Sequence, residues 1–250
     1  MNFRILSLVK WCFAPSKNRE TSALVVQRLA SLLLRDYPLP SPFVRWMSDP
    51  FWKAHVGRFG DSSHTAHRRF FLHSLASSLG HVEGDTAEVG AFRGSSSALM
   101  CQVNQTAMHP RTHFIFDSFE GLSEPHNEDG EYWKKGDLTV VQSAMDIDPS
   151  DGEYVVLAGW VPDRFAEVSE RTFSFVHIDV DLYEPTRLSL EFFGPRMARG
   201  GIILCDDYGS ERCPGASLAV DRYSSANALV IVELPAGGCF LRFAEAKGEL

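Results

Sequence analysis

The chain has 250 residues, 44% of them hydrophobic, which is enough for one sizeable core. Its formal net charge of −8, with no basic stripe to offset it, argues against nucleic acid as the main partner. Five scattered cysteines, Cys12, Cys101, Cys205, Cys213 and Cys239, form neither a CxxC pair nor a zinc-finger spacing, which favours free thiols in a reducing, cytoplasmic setting.

The first residues, MNFRILSLVKWCFAP, pair an arginine with a short apolar run, as an export signal does. Lys10 and Trp11 break into that run and no small-x-small site follows, so the expectation is a surface helix packed on the body or on a membrane face. No window is long and apolar enough for a transmembrane segment. Residues 1 to about 80 read as helical. ETSALVVQRLASLLLRDY spaces its apolar residues at helical intervals and stops before PLPSPF, and HTAHRRFFLHSLASSLG does the same and ends at Gly80. His55, His64, His67, His73 and His81 are dispersed through this part and are expected on a solvated face. The division expected is a helical extension or lid over 1–64 and one α/β domain over 65–250.

From Thr86 the rhythm changes to short runs rich in β-branched and aromatic residues: TAEVG, THFIFD, EYVVLAG, FSFVHID, GIILCDD, ALVIVELP and GCFLRFA. Most of the early runs are separated by stretches long enough for a helix, which predicts a mainly parallel sheet with helices on both faces. The last two lie a few residues apart across PAGG, a hairpin spacing that makes the final strand antiparallel. In such sheets ligands bind at the carboxyl ends of the strands, where strand order reverses.

Those ends carry Glu88 and Gly90, Asp117, Gly159 and Trp160, Asp179 and Asp181, and Asp206 with Asp207. In EVGAFRGSSS, Gly90 and Gly94 allow a sharp turn and close approach of a ligand, and the serines can cap a helix or bond a carboxylate. The stretch is neither a GxGxxG nor a phosphate-gripping GKS or GKT loop, and a tight turn alone also explains it. In FIFDSFEGL, Asp117 ends the second strand, where an acid commonly binds ribose hydroxyls; the competing reading is a helix N-cap shared with Ser118.

In HIDVDLYEPT, Asp179 and Asp181 can grip a metal, act as a base, hold a sugar nucleotide or cap the next helix, which is expected to begin near Tyr183 and Glu184. The adjacent carboxylates of GGIILCDDYG repel one another unless a cation or hydrogen bonds stabilise them. Asp206 and Asp207 with Asp179 would bring three hard oxygen ligands together, a set suited to magnesium. His177, two residues before Asp179, shares its direction on a strand, either as a satisfied inner histidine or as a functional one.

Taken together, EVGAFRGSSS, FDSFEGL, Gly159-Trp160, HIDVDLYEPT, GGIILCDDYG and CPGASLAVDRY resemble the macrocin/mycinamicin-type sugar O-methyltransferase family over about residues 65–245. The resemblance implies a Rossmann-like, seven-stranded class I methyltransferase domain that binds S-adenosylmethionine and uses Mg2+ to hold a substrate diol. It implies Glu88, Gly90, Ala91, Gly94 and Ser95 at the methionine end of the cofactor, with Asp117 and Ser118 at its ribose and Trp160 and Asp179 also on the cofactor. It further implies Asp179, Asp206 and Asp207 around the metal, Asp179 or Asp181 as the base, and a homo-oligomer. The acceptor implied is a sugar hydroxyl of a small natural product or a glycan. Two departures stand out: RGSSS replaces the usual GGS turn, and the first 60 residues, which would supply lid and acceptor contacts, match less closely.

The polar stretch GLSEPHNEDGEYWKKGD, with Tyr132 and Trp133 embedded, is either an acceptor lid or a surface insertion. Two other functions compete with methyl transfer. The DVD tripeptide fits a metal-dependent glycosyltransferase, which leaves EVGAFRG and DSFEGL without a role. A catalytically silent, cofactor-binding relative is the other.

Overall fold

A computed structural model describes residues 45–60 and 63–243. The expected helix over 20–37 and the N-terminal surface helix lie outside the described residues. The chain divides into two units, 1–58 and 59–250. In the first, a 3-10 turn (Arg45–Ser48) precedes helix α1 (Pro50–Phe59). Here Trp52 packs edge-on against Trp46 and His55, with ring centroids 5.6 and 5.9 Å away. His55 is buried, against the expectation of a solvated face, because it shares the inward side of α1 with Trp52.

The second unit runs α2 (Ser63–Ser78), β1 (Asp85–Val89), α3 (Ser95–Gln105), β2 (His113–Asp117), β3 (Tyr154–Ala158), β4 (Phe173–Ile178), α4 (Tyr183–Phe193), β5 (Met197–Cys205), α5 (Pro214–Ala226), β6 (Ile231–Glu233) and β7 (Cys239–Arg242). All seven expected strands form, in one sheet of order β3-β2-β1-β4-β5-β7-β6. The pairs from β3 through β5 are parallel, and β7 runs antiparallel to both β5 and β6. Strand order therefore reverses between β1 and β4, which makes their carboxyl ends the expected ligand crevice.

The period-2 pleat sorts the side chains of β1 onto two faces. Ala87 and Val89 enter an apolar core with Phe116, Val176, Ile178, Ile203, Leu190 and Phe193 of α4, and Val220 of α5. Thr86 and Glu88 face α3 instead, where Asn104 donates to Thr86 and Ser97 donates to Glu88. Helices thus cover both faces, as the alternation predicts.

The β2–β3 connection departs from that alternation: it is long but holds only 3-10 turns. Pro125 and Pro149 with Gly121, Gly130, Gly136 and Gly152 interrupt any helical run. The segment instead crosses the N-terminal end of α3, where Ile147 fills the space a side chain at 94 would need, and Asp146 N–H donates to the Arg93 carbonyl at 3.0 Å. Among the described residues no helix is long and apolar enough to cross a membrane.

Candidate active site

Asp117, Asp179, Asp181, Asp206 and Asp207 stand at the carboxyl edge of the sheet, and Glu88 lies within β1. Gly90 turns the chain out of β1 with φ +87°, and its N–H donates to the Phe116 carbonyl at 2.8 Å. A Cβ at 90 would overlap the Asp179 carbonyl oxygen, so β1 and β4 abut here without space for a side chain. Asp117 caps no helix. Its Oδ2 accepts from Ala91 N–H at 2.8 Å and Phe92 N–H at 2.9 Å, and its Oδ1 accepts from Phe119 N–H at 2.7 Å. The carboxylate thus locks the turn after β1 to the end of β2 and keeps about one acceptor position free. Ser118 Oγ donates to the Gly121 carbonyl at 3.0 Å, Ser95 opens α3, and Trp160 is half-buried just beyond β3.

Glu88 lies inside the sheet. It is 1% exposed, accepts from Ser97 and meets His177 Nδ1 at 2.8 Å. Burial would raise its pKa, but the His177 hydrogen bond and charge outweigh that and lower it. Burial equally opposes a charge on His177, yet the flanking carboxylates of Asp206 and Glu88 lift it to about 10. His177 Nε2, buried and without a hydrogen-bond partner among the described residues, lies 3.7 Å from Asp206 Oδ1.

The four aspartates of β4 and β5 fall into two sets. His177, Asp179 and Asp206 bring their ligand atoms within 4.8 Å of one another, and Asp181, Asp207 and Cys213 do the same. The predicted trio of Asp179, Asp206 and Asp207 is divided between these sets. Burial, then Asp206, raises the Asp179 pKa; burial, then Asp179, pushes Asp181 up to about 7; burial with Asp181 and Asp179 raises Asp207 well above the usual range. Asp206 moves the other way: burial raises it, but Arg68 and His177 overcome this and lower it. Arg68 of α2 bonds the Asp206 carbonyl, reaches its Oδ2 at 2.6 Å and lies 3.6 Å from Asp207 Oδ1. Arg69 stands 3.8 Å from Asp179 and 3.7 Å from Asp206.

Crowded carboxylates held above their ordinary pKa call for positive charge, and their oxygens are the donors a hard divalent cation takes. The charged His177 ring beside them already supplies part of that positive charge. The residues fit a divalent cation.

Sequence reading missed four contributors. Arg68 and Arg69 lie in HTAHRRFFLHSLASSLG, whose spacing shows only a helix; two adjacent cations in a chain rich in strand-end acids were the available signal. Cys213, dismissed as a scattered thiol, donates to Asp181 Oδ1 at 3.5 Å and accepts from Trp133 Nε1 at 3.4 Å. Asp129, 2% exposed, accepts from Tyr183 N–H at the start of α4 at 2.6 Å, pinning the β2–β3 connection beside Asp181.

Several known proteins are similar to this chain. One relative is an 8-demethyl-8-(2,3-dimethoxy-alpha-L-rhamnosyl)-tetracenomycin-C 4'-O-methyltransferase of Streptomyces olivaceus, 32% identical over 54% of this chain and 57% of its own length. Another is the demethyldecarbamoylnovobiocin O-methyltransferase of Streptomyces niveus, 29% identical over 57% of this chain and 59% of its own. The chain spans less than two thirds of the length of either relative. Among solved structures, the O-methyltransferase NovP superposes with TM-score 0.61 at 24% identity, covering 74% of this chain and 84% of that one. CalS11, a calicheamicin methyltransferase, gives 0.66 at 21%, covering 93% and 96%, so both share the fold. The family model for macrocin-O-methyltransferase (TylF) matches residues 72–232, from the middle of α2 to β6, so it takes in the glycine turn, Asp117 and both aspartate pairs. With well over half of its residues matched, the chain belongs to the macrocin-O-methyltransferase family.

Proposed function

We propose that this protein transfers the methyl group of S-adenosylmethionine to a sugar hydroxyl of a natural product or glycan, with magnesium at the aspartate cluster. The observation that carries the reading is the gathering of four aspartates at the carboxyl ends of β4 and β5, beside the glycine turn after β1, in a chain of a methyltransferase family. When bound, S-adenosylmethionine supplies an electrophilic methyl on a sulfonium leaving group, and magnesium lowers the pKa of the hydroxyl to be methylated.

The chain's own residues do the rest. Asp179 and Asp206 would hold the cation from one set and Asp207 from the adjoining one, the two being linked through Arg68. Asp117 braces the turn of Gly90 to Ser95 for the methionine end of the cofactor and offers its remaining acceptor position to a ribose hydroxyl. Asp181, buried and with a pKa near neutrality, takes the proton from the acceptor hydroxyl as the methyl moves. Rigid placement on strand ends would let these residues hold acceptor and cofactor in a fixed orientation, which is most of what such a transfer requires. The glycosyltransferase reading leaves EVGAFRG and DSFEGL without a role, whereas methyl transfer uses both.

Calorimetric titration with S-adenosylhomocysteine should give saturable binding, and nucleotide sugars none. Methyl transfer should be detectable on a panel containing the rhamnosyl-tetracenomycin and demethyldecarbamoylnovobiocin that name the two relatives. Asp206→Asn should lose transfer while still binding S-adenosylhomocysteine. Binding of nucleotide sugars in place of S-adenosylhomocysteine would overturn the reading, and full activity in excess chelator would remove magnesium from it.

A further inference from the structure

We infer that Cys213 and Trp133 are positioning residues that orient the Asp181 carboxylate, coupling the β2–β3 connection to proton removal; this rests on the methyl-transfer reading above. Asp181 has φ +60°, and Leu182 N–H donates across it to the Val180 carbonyl at 2.6 Å. This is the positive-φ form of a three-residue γ-turn, a rare and strained conformation for a side-chain-bearing residue. Such strain persists only where the surroundings over-determine it.

Two contacts do so. Asp181 N–H donates to Asp207 Oδ2 at 2.8 Å, which fixes the backbone. The Cys213 thiol, 3.5 Å from Oδ1, holds the carboxylate itself, and no other hydrogen bond reaches that carboxylate among the described residues. Trp133 in turn orients the thiol: its indole N–H points at the sulfur from 3.4 Å, which directs the S–H proton toward Asp181. Donation therefore runs one way, from Trp133 to Cys213 to Asp181, and leaves Oδ2 for a proton arriving from an acceptor.

Trp133 sits on a stretch that is itself fastened. Leu122 and Gly136–Asp137 exchange backbone hydrogen bonds of 2.8 and 2.9 Å at its base. Asp129 grips the start of α4 through Oδ1 and His126 N–H through Oδ2 at 2.8 Å. A Cβ at Gly215 of α5 would overlap Asp129 Oδ1, so the loop also abuts the helix that begins right after Cys213. Tyr132, next to Trp133, is half exposed, with the Arg212 guanidinium 4.9 Å from its ring centroid. The loop thus presents Tyr132 outward, beside Arg212 of the β5–α5 segment, and connects inward to Asp181 through Trp133 and Cys213.

The test compares wild type, Cys213→Ala, Cys213→Ser, Trp133→Phe and the double variant Cys213→Ala/Trp133→Phe on the acceptor of the panel that wild type turns over best. Cys213→Ala should lower kcat about tenfold, part of the ~10²–10⁴ that a positioned base supplies, with acceptor KM and S-adenosylhomocysteine affinity within about twofold. Cys213→Ser, which keeps a donor, should restore most of kcat. Trp133→Phe should fall in between, and the double variant should be no worse than Cys213→Ala, since both act along one chain. Trp133 fluorescence, isolated by difference against Trp133→Phe, should brighten in Cys213→Ala as the adjacent thiol is lost.

Unchanged kcat in Cys213→Ala, no rescue by serine, or no change in Trp133 emission would overturn the positioning role while leaving methyl transfer intact. A wild type that binds no S-adenosylhomocysteine and methylates nothing on the panel would instead sink the reading on which it rests.

Discussion

Replacing Gly90 by alanine should destabilise the protein well beyond the same change at Gly237, although both glycines have φ +87°. The left-handed conformation costs an alanine about 1–2 kcal/mol at either position. At 237, in the β6–β7 hairpin, the new Cβ meets nothing within 4 Å, so that cost is the whole effect. At 90 the Cβ overlaps the Asp179 carbonyl oxygen and lies 2.8 Å from its carbonyl carbon and 3.1 Å from Val180 Cγ1. The obstacle is backbone, already tied to β1 by the Asp179 N–H to Val89 carbonyl bond of 2.9 Å, so it has little room to yield. Overpacking of this kind adds about 1–3 kcal/mol, which brings the expected loss for Gly90→Ala to about 2–5 kcal/mol. Against a typical total of about 5–15 kcal/mol the variant still folds. Urea unfolding followed by circular dichroism reads both variants, with equal slopes and different midpoints expected. Because the displaced residue is Asp179, the methyl transfer proposed above should also suffer in Gly90→Ala and not in Gly237→Ala. Equal midpoint shifts in the two variants would refute the claim that the β1–β4 approach, rather than φ alone, requires glycine.

Three further outcomes are expected. Glu88→Gln breaks a fully buried pair with His177 and should cost about 3–5 kcal/mol by denaturant titration, whereas Ser97→Ala, which removes one hydrogen bond, should cost about 1 kcal/mol. Burial lowers the pKa of His113 from 6.5 to about 4, so between those values the unfolded ring binds a proton that the folded ring refuses. Stability carried by this group therefore falls as pH drops from 6.5 towards 4, by up to about 3 kcal/mol, and the slope should flatten in His113→Asn when midpoints are measured across that window. Arg68→Met removes the cation nearest Asp206; in chelator its melting temperature should drop, and added magnesium should raise it by more than it raises wild type. Equal responses to magnesium would show that Arg68 and the cation do not share the same charge.

The sheet was legible because each strand is a short apolar run with its own turn signals, and because the PAGG gap permits only a hairpin. The strand ends were legible for the same reason: once the runs are placed, Gly90, Asp117, Asp179 and Asp206 must stand on one edge. What escaped were contacts made across long sequence separations. Arg68 and Asp206 are 138 positions apart, and nothing in HTAHRRFF says which face of the helix meets the sheet edge. The competing cap reading of Asp117 fails because the prolines and glycines that follow prevent a helix there, and its carboxylate goes to the turn after β1 instead. Glu88, placed at a strand end by the sequence, is turned inward by the pleat, and His177 stands directly beside it in the β1–β4 register.

The pair in HIDVDLYEPT shows how far periodicity carries and where it stops. On an extended strand, residues two apart point the same way, so His177, Asp179 and Asp181 should share one face. The first two do, and together with Asp206 they form one set. Strand β4 ends at Ile178, however, and the γ-turn at Asp181, with φ +60°, swings the second carboxylate off that face and into the neighbourhood of Asp207 and Cys213. The break in alternation therefore puts two aspartates that look alike in sequence into two surroundings: one beside a buried histidine and two arginines, the other beside a thiol and a second aspartate. Carboxylates in unlike surroundings have unlike proton affinities, which is what a site needs if one is to stay charged toward a cation while the other accepts a proton. Relaxing the turn at Asp181, for instance with Asp181→Gly as a backbone control beside Asp181→Asn, separates the two contributions. The asparagine keeps the turn and loses the base, and the glycine loses both the base and the strain. If the turn exists to aim the carboxylate, both variants should lose methyl transfer, while only the glycine gains stability against urea.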